Sequence, residues 1–179
     1  MQDFKIVLSE EDISRRVREL GAQITKDYQG KKPIIVCMLK GAILFFSDLI
    51  RQLDLPITIE FARLSSYKNG VTSGEIEIID TIKTDIAGKD VLIVEDVVDS
   101  GKTLAFFKDI LLKQNPASVK ICALLDKPEK RKTQVDVDYT GFTLGDKFVI
   151  GYGLDYAERF RELPSLAVVD SEEEAKSKL

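Results

Sequence analysis

Residues 91–104 limit what this chain can fold into more strictly than any other segment. The first four of them, Val-Leu-Ile-Val, are apolar and mostly β-branched, which is typical of a strand buried on both faces of a parallel sheet. Apolar residues then recur at helical spacing over residues 104–112. A buried strand followed so closely by a helix is the repeating unit of parallel α/β sheets with right-handed crossovers. We therefore predict an α/β fold with a central, mostly parallel twisted sheet flanked by helices.

The residues between that strand and that helix carry the chemistry. Glu95, Asp96 and Asp99 follow the apolar run, at the end of the strand where open α/β sheets bind their ligands. Residues 99–103, Asp-Ser-Gly-Lys-Thr, then form a short turn, and the helix start leaves backbone N–H groups free to bind a phosphate. Carboxylates beside an anion site favour a ligand with both hydroxyl and phosphate groups, such as a sugar phosphate.

Two other interpretations of this segment fit less well. Gly-Lys-Thr at residues 101–103 also ends the Walker A motif, but that motif needs a glycine five residues before Gly101, where this chain has Asp96. A carboxylate there would repel a triphosphate. The second alternative, an ordinary capped helix, leaves adjacent acids after a buried strand with nothing to pair with them.

The rest of the chain repeats the alternation of strands and helices. Ser9 and the three acids after it predict a helix start, and apolar positions at helical spacing continue that helix to about residue 28. A second helix is predicted over residues 41–53. Strands are predicted over residues 33–39, 57–64, 118–125, 148–150 and 166–169. The period-2 pattern of residues 75–78 predicts a half-exposed strand that pairs antiparallel.

Composition narrows the class of protein. The length of 179 residues predicts a single domain over residues 1–179, since about 100–200 residues per domain is usual. The net charge of -4 argues against general nucleic-acid binding. The chain has no histidine, so proton transfer falls to Asp, Glu, Lys or Tyr and oxygen atoms are the expected metal ligands. With a phosphorylated substrate, oxygen ligands point to Mg²⁺.

The sequence also bears on location. No apolar stretch approaches the ~20 residues of a membrane span, and the first residues lack the pattern of a signal peptide, so we expect a cytoplasmic protein without membrane partners. Cys37 and Cys122 each lie in an apolar run, which predicts buried, reduced thiols.

Residues 91–103 resemble the phosphoribosyl-pyrophosphate signature of the type I phosphoribosyltransferases: four hydrophobic residues, two acids, an apolar pair and Asp-Ser-Gly-Lys-Thr. Leu-Lys-Gly at residues 39–41, Ser66-Tyr67 and the run of residues 146–156 match further motifs. In this order and spacing, from about residue 34 to 169, the chain resembles the hypoxanthine/guanine phosphoribosyltransferases. The resemblance implies purine salvage: transfer of the 5-phosphoribosyl group from phosphoribosyl pyrophosphate to hypoxanthine or guanine, giving IMP or GMP and pyrophosphate.

The resemblance also implies roles for the signature residues. Glu95 and Asp96 would hold the ribose hydroxyls, directly or through the metal. The turn would bind the 5′-phosphate through Asp99, Ser100, Gly101, Lys102 and Thr103. Asp99 would also face purine N7 as the general base.

Other implied roles lie outside the signature. Lys40, Gly41 and Arg161 would bind pyrophosphate, and the Lys40–Gly41 bond can be cis in this family. Ser66 and Tyr67 would open a mobile flap of about residues 65–78, and the N- and C-terminal segments would form a small hood. Lys127 would donate to purine O6, Phe148 would stack on the base, and Val149 would contact its edge. Asp155 would join Glu95 and Asp96 in holding Mg²⁺.

Some questions stay open at this level. Xanthine is an alternative base, while a lysine donor at position 127 disfavours adenine. A phosphoribosyltransferase-like RNA-binding regulator is a second alternative, which the basic residues of segment 127–132 favour and the acidic total opposes. Of that segment, Lys130, Arg131 and Lys132 match no family role and predict a solvated loop. The family also implies a homodimer or homotetramer, and the helix at residues 43–49 is a plausible contact surface.

Overall fold

The computed structural model describes residues 4–66 and 76–169 of the chain. The strands are β1 Lys5–Leu8, β2 Ile34–Leu39, β3 Thr58–Ser66, β4 Ile76–Asp80, β5 Asp90–Val98, β6 Ser118–Asp126, β7 Tyr139–Thr143, β8 Val149–Ile150 and β9 Leu166–Val168. The α-helices are α1 Glu10–Asp27, α2 Ile43–Ile50 and α3 Lys102–Leu112, and a short 3₁₀ helix spans Pro128–Lys130.

Six strands form the central sheet in the order β4-β3-β2-β5-β6-β7. Every neighbouring pair is parallel except β3 and β4, which run antiparallel as the period-2 pattern predicted. The middle strands β2, β5 and β6 are almost continuously apolar and buried because both faces of the sheet are covered. The predicted mostly parallel α/β fold is therefore confirmed.

A second, smaller sheet has the order β1-β9-β8 and is antiparallel. The sequence correctly predicted strands near residues 148–150 and 166–169, but they pair with each other and with β1 outside the central sheet. This sheet joins strands near both ends of the described chain, where the resemblance implied a hood, and we call it the hood sheet. Its role as a hood stays a prediction. Strands β1 and β7 were not predicted, since each has only four or five residues and little alternation.

The helices begin and end where local chemistry dictates. The Ser9 hydroxyl accepts from the Asp12 N–H, and the Asp12 carboxylate accepts from the Ser9 N–H, so the predicted helix start is a capping box. Helix α2 is shorter than the predicted 41–53, because residues 40–42 form a turn that lines the site described below.

Both cysteines are fully buried and free, as predicted. Burial raises the pKa of the Cys37 thiol to about 12, and burial raises that of Cys122 as well. Neither thiol is therefore a reactive thiolate at neutral pH. Among the helices that the structure describes, none combines the length and the apolar character needed to cross a bilayer.

Candidate active site

A cleft of about 320 Å³ opens between the carboxyl ends of β2 and β5. The chain leaves β2 toward β3 on one side and leaves β5 toward β6 on the other, so the strand order reverses between them. Ligands of open α/β sheets bind at such a point because loops diverge there and leave a crevice. The end of β2, the end of β5, the β5–α3 turn and residues 155 and 161 line the cleft.

Two adjacent carboxylates, Glu95 and Asp96, lie in this cleft. They belong to β5 itself, since the strand runs on to Val98, whereas the sequence placed them after the strand. The Asp96 N–H donates to Glu95 Oε1 over 3.1 Å, and the Val97 N–H donates to Asp96 Oδ1 over 2.8 Å. Burial and the neighbouring charge of Asp96 raise the pKa of Glu95 well above its ordinary value. Among the ion pairs of the described residues, none involves either carboxylate.

The turn after β2 packs directly on Asp96. A Cβ on Gly41 would overlap the Asp96 carboxylate, so a larger residue here would have to displace that side chain. A Cβ on Gly153, which has φ 100°, would overlap the backbone carbonyl of Gly41, so that position favours glycine. The peptide bond that is cis joins Leu39 to Lys40, one position before the Lys40–Gly41 bond named from the sequence. Strand β2 ends at Leu39, and residues 40–42 form the turn that follows it.

The turn from β5 to α3 is shaped as an anion site. Gly101 is the N-cap of α3 and has φ 76°, a conformation that favours glycine. The Ser100 carbonyl accepts from the N–H groups of Lys132 and Thr133, at 3.0 and 2.9 Å, which holds the turn from behind. Ser100, Gly101 and Thr103 line the cleft, whereas the side chain of Lys102 is exposed and is not part of the lining.

Lys127 is the one charged side chain that is buried within residues 4–66 and 76–169, with 5% of its surface exposed. Its Nζ donates to the Lys147 carbonyl over 2.8 Å and lies 3.7 Å from Oδ1 of Asp99. The Asp99 side chain is half exposed and lines the cleft. A buried cationic donor and a carboxylate acceptor thus lie close together at the β5–α3 turn.

An aromatic surface lies on the hood side. Phe148 is half exposed. The centroid of its ring lies 6.0 Å from the centroid of the Tyr156 ring, and the two rings are nearly perpendicular, with an interplanar angle of 88°. Val149 follows it in β8 with a buried side chain. An exposed ring next to Lys127 suits a flat heterocycle better than it suits the protein core.

Arg161 lines the cleft, and Lys40 stands in the chain between Leu39 and Gly41, which also line it. Arg161 pairs with Asp155 at 2.8 Å and donates to the Gly153 carbonyl over 2.7 Å. Lys40 pairs with Glu158 at 2.8 Å. Glu158 was missed by sequence reasoning, since its partner lies 118 residues away and no local pattern links them.

The basic cluster is only partly the solvated loop that was predicted. Arg131 is mostly buried, pairs with Asp126 and donates to the Val135 carbonyl over 3.1 Å. It packs against Gly101, so it supports the turn from β5 to α3. Lys130 forms an ion pair with Asp146 at the surface. The prediction was therefore wrong for Arg131, because its acidic partner is reached only through the fold of the loop.

Two predicted flap residues lie at the boundary of the described chain. Ser66 is the last residue of β3, and Tyr67 lies outside the described residues. Across residues 4–66 and 76–169, no three carboxylate or thiol groups come close enough together to hold a metal ion without other ligands.

Known proteins share this architecture and sequence. A family model, the phosphoribosyl transferase domain, matches residues 4–157. The hypoxanthine-guanine phosphoribosyltransferase of Bacillus subtilis is 45% identical over 166 residues, which are 92% of each chain. The bifunctional protein TilS/HprT of Listeria monocytogenes is 43% identical over 94% of this chain, which spans only 26% of that protein.

A solved structure agrees with these relatives. The crystal structure of a hypoxanthine phosphoribosyltransferase from Staphylococcus aureus matches with a TM-score of 0.88 and 44% identity, covering 92% of this chain and 90% of the other. The chain therefore belongs to the phosphoribosyltransferase family, among the hypoxanthine-guanine phosphoribosyltransferases.

Proposed function

We propose that this chain transfers the 5-phosphoribosyl group from phosphoribosyl pyrophosphate to hypoxanthine or guanine, releasing pyrophosphate and IMP or GMP. The observation that carries the proposal is the placement of a carboxylate pair and a phosphate turn on one strand–turn–helix unit, with the buried Lys127 beside them. Family membership supports the same activity.

In the proposed reaction, the bond between ribose C1 and the pyrophosphate oxygen breaks, and its electron pair leaves with pyrophosphate. A purine ring nitrogen donates the pair that forms the new bond to C1. The proton on N7 of the purine passes to the Asp99 carboxylate. Asp99 is suited to this step because it is half exposed in the cleft, and a general base typically contributes a factor of about 10²–10⁴.

The sugar phosphate would lie along β5 and the turn that follows. Glu95 and Asp96 are acceptor-only when ionised, so two neighbouring ribose hydroxyls would satisfy them. The 5′-phosphate would bind the N–H groups of residues 99–103 with the Ser100 and Thr103 hydroxyls, while the exposed Lys102 adds long-range positive charge.

Glu95 and Asp96 also fit a role at a magnesium ion, and the family uses Mg²⁺ with phosphoribosyl pyrophosphate. They are oxygen donors, they have no cationic partner among the described residues, and their mutual repulsion would be relieved by a cation. Mg²⁺ is commonly held by one or two carboxylates and completed by substrate oxygens, which fits a pair of carboxylates. When bound, the ion would neutralise charge on the departing pyrophosphate. Asp155 is a weaker candidate, since it already pairs with Arg161.

Base recognition is assigned to the hood side of the cleft. Lys127 would donate to the 6-oxo group of hypoxanthine or guanine, and its fixed hydrogen bond to Lys147 orients it for that contact. Adenine presents a donor at the same place and would be rejected, because two donors cannot pair. Phe148 would stack on the base and the backbone of Val149 would meet its edge.

Pyrophosphate would bind near Lys40, the backbone of Gly41 and Arg161. Closure of a flap beginning at Ser66 and Tyr67 would exclude water and protect the reactive sugar from hydrolysis.

We also propose that the protein works as a homo-oligomer in the cytoplasm. Ile43 on α2 and Ile59 and Phe61 on β3 are large apolar side chains with 37–45% of their surface exposed. Neighbouring exposed apolar residues on adjacent elements suit a contact with a second copy of the chain.

The experiment that tests the activity is a spectrophotometric assay of single purine bases with phosphoribosyl pyrophosphate and Mg²⁺. We expect turnover with hypoxanthine, guanine or both and none with adenine. Failure of both 6-oxopurines would refute the proposed activity. If salt-sensitive RNA binding were found in place of turnover, the regulator alternative would take over.

A further inference from the structure

One carboxylate oxygen stands between the two cations assigned to pyrophosphate. Oε2 of Glu158 lies 2.8 Å from Nζ of Lys40 and 3.5 Å from Nη2 of Arg161. An anionic oxygen shared between an ammonium and a guanidinium is the arrangement that a phosphoryl oxygen takes when it binds such groups. The described structure therefore has a protein carboxylate at a position suited to a ligand oxygen.

A tight turn holds this carboxylate in place. Glu158 has φ 63°, and its N–H donates to Oδ2 of Asp155 over 2.8 Å. The other oxygen of Asp155 pairs with Arg161 at 2.8 Å, so the same side chain orients both the turn and the arginine. Backbone hydrogen bonds between Tyr156 and Arg159, at 3.1 and 3.0 Å, close the turn. The proximity of Glu158 to the two cations is thus built into the backbone.

The side chain of Glu158 can nevertheless leave without disturbing the core. Two thirds of its surface is exposed, and an exposed ion pair contributes little to stability. The hydrogen bond from Lys40, together with the charge of Lys40, lowers the pKa of Glu158, so the carboxylate is ionised at neutral pH.

We propose that Glu158 competes with pyrophosphoryl groups for Lys40 and Arg161 and thereby sets the affinity of the cleft for pyrophosphate. The inference rests on the proposed function in taking those two cations as pyrophosphate contacts. A ligand that binds them must displace the carboxylate and approach its negative charge. Glu158 would thus affect how tightly pyrophosphate binds, and it takes no part in breaking or forming bonds in the transfer reaction.

The test measures binding without turnover. Pyrophosphate with Mg²⁺ is titrated calorimetrically into the wild type, Glu158→Gln and Glu162→Gln, at low and at high ionic strength. Glu162→Gln is the matched control, since it removes the same charge from the same segment at an exposed position, whereas the ion pairs with Lys40 and Arg161 are made by Glu158. We expect Glu158→Gln to lower Kd about two- to five-fold, the size of a surface ion pair, with the gain shrinking at high salt because solvent-exposed charges are screened.

Two outcomes would overturn the inference: a Kd for Glu158→Gln equal to that of Glu162→Gln, or a weaker affinity than the wild type. Glu158→Asn provides a second variant, because asparagine tolerates positive φ and keeps the turn. The proposed function is tested separately by purine turnover of the wild type. Tighter pyrophosphate binding in a chain that turns over no purine would support the inference and refute the activity, whereas turnover with an unchanged Kd would do the reverse.

Discussion

Replacing Lys127 with methionine removes the ammonium group but keeps an apolar side chain of similar length in the buried position. The backbone N–H of Lys127 donates to the Val98 carbonyl over 3.0 Å, so its position is held independently of the side chain. Methionine fills much of the same apolar space, while the charged donor and its ion pair with Asp99 are lost. Hydrogen bonds to charged groups contribute about 1.5–3 kcal/mol, and each 1.4 kcal/mol is a factor of ten. We therefore expect kcat/KM for hypoxanthine to fall by about 10- to 150-fold.

The same substitution leaves the Lys147 carbonyl without its donor. An unpaired buried group costs about 1–3 kcal/mol, and in a domain of this size each kcal/mol lowers Tm by about 2–4 °C. The assay compares hypoxanthine with unsubstituted purine, which lacks the 6-oxo group, because the preference for hypoxanthine should shrink if Lys127 reads that group. Thermal unfolding of the same samples reports how much folded protein remains.

Lys130→Met is the control for this experiment. Lys130 lies three residues away and pairs with Asp146 at the surface, where an ion pair contributes at most about 1 kcal/mol. The Lys130→Met variant should keep both the wild-type kcat/KM for hypoxanthine and the preference for hypoxanthine over unsubstituted purine. A folded Lys127→Met protein whose kcat/KM for hypoxanthine stays within about three-fold of the wild type would refute the assignment of Lys127 to the base.

Three further substitutions test other parts of the site. Asp99→Asn should retain nucleotide binding but lower kcat by about 10²–10⁴, measured with saturating substrates, and an unchanged kcat would remove Asp99 as the base. Gly41→Ala should lower activity by about 10² through displacement of Asp96, while Gly145→Ala, which has open space around it, should be neutral; equal activities would contradict the close packing. Because the raised pKa of Glu95 makes the folded state hold its proton more tightly than the unfolded chain, ligand-free stability should fall as pH rises from the ordinary value of 4.5 through the folded pKa. Glu95→Gln should flatten that part of the Tm–pH curve and lose activity, and identical curves would show that the carboxylate is not strained by its surroundings.

Local patterns in the sequence were sufficient for the central sheet and the turn from β5 to α3. The burial of β5, the start of α3 and the capping box of α1 depend on residues that are neighbours along the chain, so periodicity and turn chemistry predict them. The placement of Glu95, Asp96 and Asp99 at one end of one strand followed from the same segment. Their roles in binding ribose and moving a proton remain predictions.

Contacts between distant segments were decided only by the tertiary structure. The hood sheet joins both ends of the described chain, and the Lys40–Glu158 pair spans 118 residues. Arg131 was expected in solvent, yet the fold packs it against the distant Gly101 turn. Side-chain spacing along the sequence carries no information on such partners, because packing and charge pairing across the fold depend on distances that exist only after the strands have assembled.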